Sequence, residues 1–164
     1  MITPPKLTRE QYLAFLDALP VNPSCFVLAC ETGDVQEIEE FLRRDPNFDV
    51  NCVSGAALNT AFENGKGSVA SILLAHPNIA VNLARSKGMT SFMLACCKGD
   101  ICIRLLLRDT RVKVSERDRD GYTPLHWAAY HGHLDVIKWW IASGREMNLG
   151  TPGEWETDAI GAAS

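Results

Sequence analysis

Asp120-Gly-Tyr-Thr-Pro-Leu-His-Trp-Ala-Ala-Tyr-His-Gly-His133 is the stretch that decides the fold. It reads as a helix with a small-residue centre, Ala128-Ala129, that runs into Gly132. A second, more apolar helix follows with Val136, Ile137, Trp139, Trp140 and Ile141. The same order recurs upstream: Gly33, Gly65, Gly99 and Gly132 are spaced by 32, 34 and 33 residues. A fixed period of this size marks a solenoid, whose units are each too small to bury their own apolar face and stack on their neighbours. Such a chain offers an extended surface, not one enclosed pocket.

The other units can be laid over the fourth by their glycines. In the third, Lys87-Gly-Met-Thr-Ser-Phe-Met-Leu-Ala-Cys-Cys-Lys-Gly-Asp100 leads into Ile103, Leu105, Leu106 and Leu107, with one residue missing after Asp100. The second runs from Gly55 through Leu58 and Ala61 to Gly65, then Val69, Ile72, Leu73 and Leu74. The first has Phe26, Leu28, Ala29 and Gly33, then Val35, Ile38, Phe41 and Leu42. The segments that follow also align: Asp45-Pro-Asn-Phe-Asp-Val-Asn51, His76-Pro-Asn-Ile-Ala-Val-Asn82 and Asp109-Thr-Arg-Val-Lys-Val-Ser115. Pro46 and Pro77 stop the helix in two of them. The valine before each final polar residue suits a short extended stretch. Each unit reads helix, Gly turn, helix, loop, finger. Ahead of them, Thr8-Arg-Glu-Gln11 has capping-box spacing and predicts a helix from Arg9. Its stripe of Tyr12, Leu13, Phe15, Leu16 and Leu19, ended by Pro20 and Pro23, suits a cap on the first unit; an independent docking helix is the alternative.

The fourth unit, with Thr-Pro-Leu-His-Trp-Ala at 123–128 and Gly132-His133 after it, resembles the ankyrin repeat family signature around T-P-L-H-x-A. The third keeps Gly88, Thr90, Ala95 and Gly99 but has Ser91 and Met93 in place of Pro and His. The first two units rest mainly on spacing. The resemblance covers about residues 24–164 and implies an all-α solenoid of stacked helix-turn-helix units with short β-like fingers. It divides the chain into a capping helix at 1–23, four repeats at about 24–52, 53–84, 85–117 and 118–148, and a finger with the start of a truncated fifth repeat at 149–164. Two departures stand out. About three residues fewer lie between Asn51 and Ala56 than between Asn82 and Thr90, so the first finger is expected to be short or misshapen. Asp158-Ala-Ile-Gly-Ala-Ala163 looks like the opening of a fifth repeat, and an exposed half-repeat would leave apolar surface at that end.

Composition narrows the function classes. The 164 residues suit one domain, with 46% apolar and 22% charged content in the ordinary globular range. A net charge of −4 lacks the basic face of a nucleic-acid binder. Met-Ile-Thr-Pro-Pro-Lys is not a signal peptide, and no apolar run approaches the roughly 18 residues of a membrane span. The expectation is an intracellular chain, cytoplasmic or nuclear, with no nucleic acid or membrane among its partners. Its six cysteines, Cys25, Cys30, Cys52, Cys96, Cys97 and Cys102, form no CxxC pair, so reduced thiols are expected. Cys30 and Cys96 share a position with Ala129, which makes them small apolar fillers.

Three constellations bear on chemistry. His126, His131 and His133 lie within eight residues with Asp135 close by. A metal site needs three or four ligands converging at roughly 2.0–2.3 Å. The resemblance instead makes His126 a clasp between repeats and His133 part of the turn, while His131 faces the concave side; no metal and no cofactor are expected. Cys97 and His131 occupy neighbouring columns of the stack, which invites a Cys–His catalytic pair. Packed helices stand roughly 10 Å apart, too far for that pair, so no catalysis is expected and a thiol open to oxidation is the alternative. Asn51, Asn82 and Asn148 end the extended stretches. A hydrogen bond fixing each finger is the plain reading. The resemblance adds a possible hydroxylation of Asn82, eight residues after Leu74. Of the four tryptophans, Trp127 and Trp140 fall on core columns and Trp139 is expected to be partly exposed. Trp155, in a turn-rich finger, is either a binding anchor or packed on Trp139.

Ligand contacts in the family lie on finger tips and on the exposed face of each first helix. Carried onto this chain, they are Glu63 and Asn64; Ser86, Lys87, Met89, Cys97 and Lys98; and Arg119, Asp120, Tyr122, Tyr130 and His131. The mixture suits anchors within a polar rim, with Tyr122 and Tyr130 as hot spots. The expected function is a monomeric protein–protein interaction module that presents a rigid concave surface. The rivals are a stoichiometric enzyme inhibitor of the small ankyrin type and a thiol- or metal-dependent sensor or enzyme.

Overall fold

The computed structural model describes Thr8, Gln11, residues 22–99 and residues 102–147. Their helices pair into four successive units: α1 (Pro23–Thr32) with α2 (Val35–Arg44), α3 (Cys52–Glu63) with α4 (Gly67–Ala75), α5 (Ser91–Lys98) with α6 (Ile103–Arg108), and α7 (Pro124–Tyr130) with α8 (Leu134–Ser143). The first helices pack in a row, α1 on α3, α3 on α5 and α5 on α7, while α2 lies against α4 and α6 against α8 in an outer row. No strand is present among the described residues, so the expected β-like fingers are turns and single extended residues.

Each pair bends at its glycine. Gly33, Gly65, Gly99 and Gly132 have φ of +86°, +63°, +66° and +72°, left-handed values that L side chains resist. Four residues before them, Ala29, Ala61, Ala95 and Ala128 are fully buried, which is why the helix centres must be small. Larger apolar groups fill the space between rows. Phe26 packs against Phe41 and Phe48 with ring centroids 5.6 and 4.8 Å away, and Phe92 meets Trp140 edge-on at 4.9 Å. Cys30 and Cys96 are buried in this core, and burial pushes the Cys30 thiol up to about 12.

The aligned loops adopt one turn three times, with Phe48, Ile79 and Val112 each donating its N–H to the carbonyl of Asp45, His76 and Asp109. Phe48 and Val50, Ile79 and Val81, and Val112 and Val114 then point into the core. In the third and fourth units the turn carries an arginine that ties it to the unit before. The Arg111 guanidinium donates to the carbonyls of Leu74 (2.5 Å) and His76 (3.4 Å) beyond α4. Arg145 donates to those of Leu107 (3.5 Å), Asp109 (2.8 Å) and Val112 beyond α6. The Leu74 and Leu107 carbonyls belong to the last turns of their helices, where a cation also suits the helix dipole. Arg145→Ala is expected to cost about 1.5–3 kcal/mol in chemical denaturation, the range of hydrogen bonds to a charged group. Arg111 also pairs with Asp109 at 2.6 Å and holds its carboxyl below the usual range. That contribution is complete above the ordinary carboxylate pKa and is lost as pH falls through the lowered one. Asp109→Asn should therefore narrow the stability gap between pH 7 and pH 3 in thermal melts.

Two irregularities follow from sequence length. In the short first finger, Val53, Ser54 and Gly55 are all left-handed, with φ of +53°, +56° and +69°, at the start of α3. The missing residues force the chain to turn back at once. A Cβ on Gly55 would lie 2.0 Å from Leu83 Cδ2. An L residue in this region costs roughly 1–2 kcal/mol, most for a β-branched one. Val53→Asn is expected to raise the melting temperature, because Asn tolerates the left-handed region. In the third unit α6 starts four residues after Gly99, where the other second helices start two after theirs, and it is only six residues long. The deletion is absorbed by the helix.

Thr8 and Gln11 exchange both bonds of the capping box: Thr8 N–H donates to Gln11 Oε1 at 3.0 Å, and Gln11 N–H to Thr8 Oγ1 at 3.2 Å. Arg9, the apolar stripe from Tyr12 to Leu19, Asp100, Asn148, Trp155 and the half-repeat at 158–163 lie outside the described residues.

Candidate functional site

The inner face of the fourth unit starts from one buried carboxylate. Asp118 Oδ1 accepts the N–H groups of Asp120 (3.0 Å) and Tyr122 (2.8 Å), and Oδ2 accepts Trp127 Nε1–H at 2.9 Å. Thr123 Oγ1 then accepts the N–H of His126 at 3.3 Å and caps α7, with Pro124 at its start and Leu125 buried. The Thr-Pro-Leu segment thus sets the direction of α7, and Asp118 sets the direction of its tryptophan.

The outcome is a continuous run of rings. Tyr122 stacks on His126 with centroids 4.2 Å apart and planes 22° apart, and meets Trp127 edge-on at 5.8 Å. Trp127 meets Tyr130 at 6.3 Å and lies parallel to His131 at 6.0 Å; His131 in turn stacks with His133 at 6.0 Å. Tyr130 is 64% exposed, His131 exposed and Tyr122 half-buried. Trp127 corrects the sequence expectation. It is half-buried within this run and not in the core, because its Nε1–H is drawn to Asp118. Trp140 is fully buried as expected, and Trp139 is half-buried with the Arg104 guanidinium 6.0 Å from its ring centroid.

The separation expected between Cys97 and His131 is also corrected. Cys97 Sγ and His131 Nε2 are 3.2 Å apart, because both side chains extend into the space between α5 and α7. Burial pushes the Cys97 thiol up against the opposing pull of Lys98, which works against the activated thiolate that a nucleophile needs. Around His131 stand the rings of Trp127, Tyr130 and His133, with no orienting carboxylate among the described partners. The pair joins two units.

His133, read as part of the turn, reaches back as well: its Nε2–H donates to the Cys97 carbonyl at 2.9 Å. Its ring lies over Gly99, where a Cβ would fall 2.4 Å from His133 Nδ1. Gly99→Ala is therefore expected to cost about 1–2 kcal/mol from the left-handed φ alone, with displacement of His133 added, read in urea titration. In the column of His126 the second unit has Asn59, fully buried, which sequence reasoning passed over. Asn59 Nδ2–H donates to the Leu83 carbonyl at 3.2 Å, and Asn59 Oδ1 accepts from the Ser91 hydroxyl. Asn51 and Asn82 fix their fingers by the same double contact to the next unit. Asn51 bonds the Asn78 carbonyl and the Ala80 N–H, both at 2.7 Å, and Asn82 bonds the Arg111 carbonyl at 2.8 Å and the Lys113 N–H at 2.7 Å.

The remaining candidates divide. Ser86, Lys87, Arg119 and Asp120 are exposed on two adjacent fingers, joined by the Arg119 N–H donating to the Lys87 carbonyl at 2.9 Å. Lys98 is exposed next to Cys97, and Met89 is half-buried. Glu63 is held by Arg85 at 3.0 Å, and Asn64 donates to the Thr60 carbonyl at 2.9 Å at the end of α3. A shallow cleft beside the short first finger is lined by Val53, Ser54, Arg85, Ser86 and Arg119. His126, His131, His133 and Asp135 do not converge: among the described residues no group of three or more His, Cys, Asp or Glu could hold a metal ion. No helix among them is long and apolar enough to cross a membrane.

A family model described as ankyrin repeats (3 copies) matches residues 78–151. Alpha-latrocrustotoxin-Lt1a of Latrodectus tredecimguttatus is 26% identical over 155 residues, 90% of this chain and 11% of the toxin. Ankyrin repeat domain-containing protein 49 of Homo sapiens is 47% identical over 49 residues, 30% of this chain and 20% of that protein. The human transient receptor potential cation channel subfamily A member 1 is 25% identical over 143 residues, 86% of this chain and 13% of the channel. The chain therefore spans a small part of the length of each of these relatives.

Proposed function

From the chain's membership of the ankyrin repeat family we infer that it is a protein–protein interaction module, and we place its binding surface on the inner face of the third and fourth units. The observation that carries this reading is the run of rings from Tyr122 to His133, in which Tyr130 and His131 are exposed and Tyr122 and Trp127 half-buried, held by bonds that cross between units. Aromatic side chains supply large contact area at low entropy cost and dominate interface energetics. The surrounding clasps pre-order the surface, which reduces the ordering cost of association. Tyr122, Trp127 and Tyr130 are the anchors; Lys87, Lys98, Arg119 and Asp120 form the polar rim. The test is affinity capture with the intact chain and with a Tyr122→Ala/Tyr130→Ala variant whose melting curve matches the parent. Loss of specific partners from the variant is expected. Equal recovery of the same proteins by both baits would show that the surface lies elsewhere.

A further inference from the structure

Charge is strongly segregated along the stack, although the net charge is only −4. Residues 1–65 carry ten Asp or Glu against four Lys or Arg. Residues 66–119 carry ten Lys or Arg against four Asp or Glu, and residues 120–164 are acidic again. This basic block includes Lys87, whose carbonyl accepts the Arg119 N–H three residues before Tyr122, and Lys98, next to the Cys97 that touches His131. Several of its cations are engaged: Arg85 with Glu63, Arg111 with Asp109, Lys113 with Glu116, and Arg117 on the Gly121 carbonyl. Lys87 and Arg119, on adjoining fingers, and Lys98, beside Cys97, are exposed and have no ion pair among the described residues. The acids nearby offset them incompletely. Asp118 is buried with both oxygens committed to Asp120, Tyr122 and Trp127, which leaves Asp120 as the exposed carboxylate of that finger.

Resting on the inner-face reading above, we propose that the occupant of this surface is an acidic peptide segment bearing apolar side chains. Its carboxylates meet Lys87, Arg119 and Lys98, and its apolar groups lie on Tyr122, Trp127 and Tyr130. The geometry divides the work in the usual way: fixed aromatic anchors give residence time, and rim cations give encounter rate and choice of partner. The acidic first unit, with Glu31, Asp34, Glu37, Glu39, Glu40, Asp45 and Asp49 against Arg43 and Arg44, repels such a segment from that end of the stack.

The test pans a displayed library of random twelve-residue peptides against the intact chain, then measures the enriched peptides in synthetic form by fluorescence anisotropy. The enriched pool is expected to be net negative and to contain aromatic or leucine residues. Each peptide should lose roughly ten-fold or more in affinity on Lys87→Glu/Arg119→Glu, and should weaken between 0.05 and about 0.5 M salt. Both substitutions are on exposed fingers, and an unchanged melting curve confirms the fold of the variant. Neutral or basic peptides that depend on Tyr122 and Tyr130 but ignore the charge reversal would overturn the acidic assignment and leave the inner-face reading standing. Peptides indifferent to both variants, or no enrichment at all, would overturn both. A twenty-nucleotide oligothymidine probe that outcompetes the acidic peptides at Lys87 and Arg119 would replace the peptide by a nucleic acid.

Discussion

Trp140→Ala is expected to destabilise the chain by about 3–5 kcal/mol, the range for removing a large aromatic from a packed core. Trp140 is the largest fully buried side chain among the described residues. It stands on α8, meets Phe92 of α5 edge-on at 4.9 Å, and donates Nε1–H to the Glu146 carbonyl at 3.2 Å beyond its own helix. The substitution thus opens a cavity between the third and fourth units, removes an aromatic pair and leaves a carbonyl to find a new donor. Domain stabilities are commonly 5–15 kcal/mol, so the loss is a large fraction of the whole. In a solenoid, each interface between units adds to the sum of unit stabilities. The fourth unit should therefore loosen first, with its amide protons exchanging faster than those of α1 and α3. Trp140→Phe, which keeps a ring but not the donor, should recover more than half of the loss in urea titration. Equal losses for alanine and phenylalanine would assign the effect to the Glu146 bond and not to packing.

Asn59→Leu should cost about 2–4 kcal/mol although the two side chains have the same number and branching of heavy atoms. The buried Ser91 hydroxyl and the part-buried Leu83 carbonyl lose their partner, and Asn59 itself is fully buried. An unsatisfied buried group costs roughly 1–3 kcal/mol, more than the net value of the bond itself. The same asymmetry predicts a partial rescue. Asn59→Leu/Ser91→Ala removes one of the two orphans and should be more stable than Asn59→Leu alone. Additive losses in the double variant would show that the hydroxyl is satisfied elsewhere and that the clasp contributes nothing across the interface.

Much of the fold was legible because it depends on short-range constraints repeated in register. A glycine at each bend reports a left-handed φ, an alanine four residues earlier reports a close helix contact, and the alternation in Phe48–Val50, Ile79–Val81 and Val112–Val114 reports two inward residues on an extended chain. The short first finger was legible as a count of missing residues. Its remedy, a left-handed run through Val53 and Ser54, was not, because nothing local favours that conformation for valine. The candidate surface was legible as a set of positions but not as an arrangement. Trp127 looks like a core residue by its column and leaves it because Asp118, nine residues earlier, draws its indole away. Cys97 and His131 looked too far apart because helix spacing measures axes, whereas their side chains reach toward each other from both helices. Asn59 reads as an ordinary polar residue until the Leu83 carbonyl is seen beside it.

The amino-acid sequence by itself determined the repeat period, the helix pairs and the glycine bends, since each is set by backbone sterics and apolar patterning within some thirty residues. Only the stacked structure decided which side chains cross from one unit to the next. Those contacts, from Asn59 to Ser91, and from Asn82, Arg111, Arg145, His133 and the Cys97–His131 pair, join groups 29 to 38 residues apart. Their partners are mostly backbone carbonyls, which carry no mark in the sequence and become specific acceptors only once packing has placed them.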